Sequence, residues 1–196
     1  MRFLLFILLT TLTALTAEAQ LNIKPIQNRR QSVAAACTTV HEQNSSSASA
    51  TISVGFNTTD QKSGQIGWDP AAAITVCKLD AVLTAVGTIT TNNYTAEIWT
   101  YANPDLGSLV QASDTIAGQA WSSSTVSFVF AGAALSSGTQ YCVLIKTSNT
   151  AGNSANYLNI VLTAAGGMAG QMGYFTAAGV RSSFDTTDSK FTIYKQ

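Results

Sequence analysis

Histidine is almost missing from this chain of 196 residues: His41 is its one imidazole, and none of the three cysteines stands near another. That removes the His/Cys clusters that hold zinc, so no metal centre is expected. It also leaves imidazole chemistry with a single candidate. His41 sits beside Glu42 in a polar stretch, where a solvated or loosely packed side chain is a better reading than a general base. No Gly-x-Ser-x-Gly elbow supports a Ser-His-Asp triad around it. Charge is scarce as well: ten basic and ten acidic side chains cancel. Nucleic-acid binding calls for a Lys/Arg stripe that displaces counterions from phosphate, and the isolated pair Arg29-Arg30 does not make one. Near-zero net charge removes repulsion between copies and so permits self-association.

Carboxylates are too few to suggest catalysis. Glycosidic cleavage needs two acids flanking a bound sugar. Glu97 falls within a candidate strand, whereas Asp69, Asp80, Asp105, Asp114, Asp185 and Asp188 read mostly as turn or rim residues. A hydrolase therefore ranks below a binding module, and no cofactor is called for. Asp69 or Asp188 as a structural calcium ligand has no calcium-loop pattern around it.

Long apolar runs are confined to the N-terminus. Arg2 followed by Phe3-Leu4-Leu5-Phe6-Ile7-Leu8-Leu9 and then Ala17-Glu18-Ala19 has the charged, apolar and small-residue order of a secretory signal peptide over residues 1–19. The apolar stretch from Phe3 to Leu15 is shorter than the ~20 residues of a spanning helix. Cleavage, with a mature chain starting at Gln20 and no membrane span left, is the expectation. Residues 20–50 read as a polar N-terminal arm or linker with a short apolar patch around Val33 to Cys37 and one short strand or helical turn, and as a possible contact for self-association.

From Thr51 onward the pattern is that of strands. Apolar and β-branched runs alternate with Ser/Thr/Asn/Gly clusters, and helical spacing of Leu, Lys and Glu is absent. Candidate strands are Thr51 to Phe56, Gln65 to Trp68, Ile74 to Ala85, Tyr94 to Tyr101, Gly107 to Ala112, Thr125 to Phe130, Gln140 to Lys146, Asn156 to Val161, Met172 to Thr176 and Lys190 to Tyr194. Turn residues such as Asn92-Asn93, Asn103-Pro104-Asp105 and Ser136-Ser137-Gly138 separate them. Many short strands without helix specify an all-β sandwich or barrel. One domain, residues 51–196, accounts for the length.

Several segments carry a resemblance, among them Gln65-Ile66-Gly67-Trp68, Ala96-Glu97-Ile98-Trp99-Thr100, Val126-Ser127-Phe128-Val129-Phe130 and Lys190-Phe191-Thr192-Ile193-Tyr194. The most specific is Leu135-Ser136-Ser137-Gly138-Thr139-Gln140-Tyr141, a Leu-x-x-Gly-Thr-x-Tyr lead into a core strand. Together they resemble the jelly-roll β-sandwich domains, similar to carbohydrate-binding modules, of secreted bacterial and phage-tail proteins. The resemblance implies a two-sheet antiparallel jelly roll and a role in adhesion or glycan binding. Such domains usually decorate a larger chain; the expectation here is a domain that stands nearly alone.

Alternation sets the faces. Tyr141, Val143 and Ile145 share one side of their strand and should be core; Cys77, Leu79, Ala81 and Leu83 share one side of theirs, opposite Lys78 and Asp80. A secreted chain can form disulfides. Cys77 with Cys142 would close a long loop, but Cys142 shares a face with Leu144 and Lys146 and is placed to point away. Buried free thiols are an equal alternative, and Cys37 is free to pair with either or with another copy. The ligand-facing candidates are Glu97, Trp99 and Tyr101, which alternation puts opposite Ala96, Ile98 and Thr100, with Trp121 and Trp68 behind them. Flat rings stack on sugars while polar groups fix orientation. Packing at the end of the sandwich is nevertheless the favoured reading of these aromatics. The expected function is a secreted non-catalytic binding or adhesion module for glycans or cell-surface polymers. A structural subunit of an extracellular assembly or virion is the alternative.

Overall fold

The computed structural model describes residues 37–56, 60–148, 153–164, 168–176, 181–184 and 187–196. The signal peptide and the arm up to residue 36 lie outside them. The chain starts in a first sheet with β1 (Thr39–Gln43) and β2 (Ala48–Val54), and crosses to a second sheet for β3 (Lys62–Trp68). It returns as β4 (Ile74–Val86), crosses again for β5 (Asn93–Ala102), β6 (Asp105–Ala112) and β7 (Ile116–Ala117), and comes back as β8 (Ser124–Leu135). Then β9 (Tyr141–Thr147) lies in the second sheet, β10 (Tyr157–Ala164) in the first, and β11 (Gln171–Phe175) and β12 (Arg181–Phe184) in the second. Finally β13 (Thr187–Ser189) and β14 (Phe191–Lys195) close the first. The fold is the expected two-sheet antiparallel β-sandwich, wound by repeated crossing from sheet to sheet. No helix among the described residues is long and apolar enough to cross a membrane.

Between the sheets lies one core. β8 shows how the sequence builds it: Val126, Phe128 and Phe130 point inward two residues apart and are buried, while Thr125 and Ser127 face solvent. Across from them, β9 contributes Tyr141, Val143 and Ile145, and β5 contributes Tyr94, Ala96 and Ile98. Each large side chain fully removed from water contributes about 1.5–3 kcal/mol. Trp68 is fully buried in this core, so it packs inside the sandwich and is not offered to a ligand.

Two strands extend the domain beyond the expected boundary at Thr51. β1 pairs with β14, and β2 pairs with β10 from Ala48. Residues assigned to the arm are therefore strands of the first sheet. Their polar composition hid them, because β1 is an edge strand with Val40 exposed. β12 and β13, four and three residues long, are also additions; short strands give alternation too few residues to register.

The disulfide joins Cys37 to Cys77, and Cys142 is a buried free thiol, so the Cys77–Cys142 candidate is corrected. Two physical causes combine. A bulge in β4 at Cys77, where Tyr194 pairs with Lys78 and Lys195 with Val76, takes Cys77 out of the alternation that would have grouped it with Leu79. Val76 and Leu79 both face the core, three residues apart, with Cys77 in the bulge. Cys142 meanwhile sits on the far side of the second sheet, away from the shared core. There, burial pushes its thiol up to about 12, outweighing a hydrogen bond from the Gly67 backbone and the Arg181 charge. The thiolate is the reactive form. Ellman's reagent should thus find no reactive thiol in the native protein and one after unfolding in guanidinium; rapid native labelling contradicts this placement.

Candidate functional site

β9 is buried along both faces, and that is the origin of the site. Its run Tyr141-Cys142-Val143-Leu144-Ile145 sends alternate residues into the main core and onto the outer face of the second sheet. On that outer face Cys142 and Leu144 join Ile66 and Phe175 in a small second cluster, against which Trp99, Tyr101 and Leu106 pack. β5 delivers Glu97, Trp99 and Tyr101 to this face, as alternation required.

The three then divide by role. Glu97 is 3% exposed and lies between Lys62, whose Nζ is 2.9 Å from Oε2, and Lys146, whose Nζ is 2.6 Å from Oε1. Trp99 Nε1 donates to Glu97 Oε2 at 2.8 Å, and Lys62 Nζ stands 4.2 Å from the centre of the Trp99 ring. Burial alone would raise the Glu97 pKa, but the hydrogen bonds from Lys146, Lys62 and Trp99 outweigh it and hold the carboxyl below its ordinary range. Glu97 is thus fully engaged by protein groups, and the indole it orders is packed over the second cluster. Tyr101, one step further along β5, packs on the same cluster but makes its polar contacts at the edge of a cleft.

Tyr101 borders an open cleft of about 390 Å³ lined by Ile66, Gly67, Asn103, Gln140, Gln171 and Arg181. The β5–β6 turn places Asn103, whose Oδ1 accepts the Tyr101 hydroxyl at 2.9 Å. β12 places Arg181, whose Nη1 donates to the Tyr101 hydroxyl and, at 3.4 Å, to Asn103 Oδ1. Gly67 and Gly170 make the cleft possible. Both have positive φ, +74° and +99°. A Cβ on Gly170 would meet the Ile66 carbonyl at 2.3 Å, and one on Gly67 would sit 3.6 Å from the Tyr101 ring. Only glycine keeps this space clear at such backbone angles.

The remaining candidates lie elsewhere. Trp121 packs edge-on against Tyr94, ring centres 5.9 Å apart, on the core side of β5. It is not part of the Tyr101 face, because the turn before β8 folds it over the end of the sandwich. His41 is half-buried in β1, and a register shift there turns both it and Glu42 toward Trp68. Burial, then the charge of Lys195, lower its pKa against the opposing pull of Glu42. Glu42 accepts the Trp68 indole N–H at 2.7 Å, so the pair anchors the edge strand. Of the acids, Asp69 braces the expected turn by accepting Gly138 N–H at 2.9 Å. Asp188 departs from the rim reading: it is buried in β13 and accepts Gln65 Nε2 at 2.9 Å. Asn103, Gln171 and Arg181 escaped sequence reasoning because three separate elements bring them together. The one local signal was the unbroken apolar run of β9, which announces a covered outer face. The chain matches no protein-family model and no curated protein.

Proposed function

We propose that this protein is a secreted, non-catalytic binding module whose ligand, a glycan or a cell-surface polymer, lies in the cleft beside Tyr101. The observation that carries this reading is the cleft itself. A half-buried aromatic ring is bordered by the amides of Asn103, Gln140 and Gln171 and by a guanidinium, over a glycine floor. A ring supplies stacking area, and amides both donate to and accept from hydroxyls, which is the mixture a sugar needs. The acid of this face, Glu97, is engaged by two lysines and an indole, which favours binding over hydrolysis. The Cys37–Cys77 bridge supports folding in an oxidising compartment.

Affinity electrophoresis in gels containing xylan, mixed-linkage β-glucan, galactan or polygalacturonate tests the proposal. At least one polymer should retard the protein. Tyr101→Ala should weaken that retardation about tenfold, the equivalent of 1.4 kcal/mol, while Trp121→Ala, which alters only the core side, should not. Unretarded migration in every gel overturns the reading.

A further inference from the structure

We infer that the ligand of this cleft is an acidic saccharide whose carboxylate is received by Arg181. The inference rests on the binding-module reading and adds to it the charge of the sugar. Lys62, Lys78 and Lys146 each stand within 3.1 Å of a carboxylate oxygen. Arg181 has no carboxylate at ion-pair distance among the described residues. Among the described residues its hydrogen-bond partners are the Tyr101 hydroxyl and, weakly, the Asn103 amide oxygen, both neutral. A guanidinium carries five N–H donors in a planar fork. Both contacts are made through one nitrogen, so no described residue gives the rest of the fork a charged acceptor beside the open cleft.

The surroundings reinforce this. Among the described residues, the strands present Lys62, Lys146 and Arg181 but one acid, Glu97, on the outer face of the second sheet, in a chain whose charges cancel as a whole. The positive excess is local to the cleft side of the sheet. The Tyr101 hydroxyl donates to Asn103 and accepts from Arg181, so it fixes the guanidinium against the ring before any ligand arrives. Holding the fork in place reduces the ordering cost of binding. A planar carboxylate accepts two parallel N–H bonds from such a fork, a geometry an ammonium does not offer. Gln140 and Gln171 also line the cleft, and an amide side chain can both donate to and accept from the hydroxyls that flank a sugar's acid.

Titration calorimetry with oligomers of galacturonate, glucuronate and mannuronate, and with a sialylated trisaccharide, tests the inference when each acid is paired with its methyl ester. At least one acid should bind tenfold or more tightly than its ester at 50 mM NaCl, and the preference should shrink at 500 mM. Arg181→Gln should erase the preference and Arg181→Lys should reduce it, the acid losing more affinity than its ester in each case, while the thermal midpoint changes little because Arg181 lies on an edge strand. Esters that bind as tightly as their acids, or a preference that survives both substitutions, overturn the acidic-ligand inference and leave the binding-module reading intact. Binding of neither form, together with unretarded migration in every polysaccharide gel, overturns both.

Discussion

Replacing Cys37 and Cys77 together by serine should lower the stability of the domain by about 4 kcal/mol, the largest single loss expected from a change outside the main core. The bridge spans a sequence separation of 40 residues, and closing a loop of that size removes about 4 kcal/mol of chain entropy from the unfolded state. For a domain this long, the thermal midpoint should fall by roughly 10 °C. The loss should also have a place. Cys37 lies two residues before β1, which among the described strands pairs with β14 alone. Freed from Cys77, this edge strand should fray and withdraw the Glu42 carboxylate from Trp68 Nε1. Amide exchange would then rise first across Thr39–Gln43, and Trp68 fluorescence would shift before global unfolding. A double variant, or a reduced wild type, that melts within about 2 °C of the oxidised protein contradicts the assignment.

Glu97→Gln should cost about 2 kcal/mol, below the full penalty of breaking a buried pair. Lys62 and Lys146 are 18% and 41% exposed and can recover hydration when the carboxylate goes. The sharper signature is in pH. The folded-state pKa of Glu97 is depressed, so its ionised form binds protons less readily than in the unfolded chain. Its stabilisation is therefore complete above the unfolded carboxyl value, near 4.5, and is lost as pH falls through the lower folded value. Wild-type denaturation midpoints in urea should hold steady from pH 7 to about 5 and then decline. Glu97→Gln should start lower at pH 7 and decline less, the two curves converging in acid. Parallel curves would mean that Glu97 contributes no linkage. The loss should also release the Trp99 indole from the second cluster, changing its fluorescence with little effect on the Trp68 signal.

Much of this architecture is local enough to be legible. The candidate strands from Gln65 to Tyr194 recur with ends shifted by a few residues, because a period of two is written in consecutive side chains and requires no knowledge of the partner strand. The same rule put Glu97, Trp99 and Tyr101 on one face and Tyr141, Val143 and Ile145 on the other. Where alternation is interrupted, the reading failed: the β4 bulge moved Cys77, and polar edge strands such as β1 carried no apolar rhythm to detect.

The sequence alone determined the fold class, the faces of the long strands and the scarcity of charge and imidazole, each a property of neighbours in the chain or of composition. Only the tertiary structure decided which cysteines meet, that Glu97 is tied down by lysines from β3 and β9, and that Arg181 and Asn103, 78 residues apart, converge on Tyr101. Strand pairing makes those decisions. A bulge changes which residues sit opposite each other, and the cross-strand neighbours of a sheet face are set by register between segments remote in sequence.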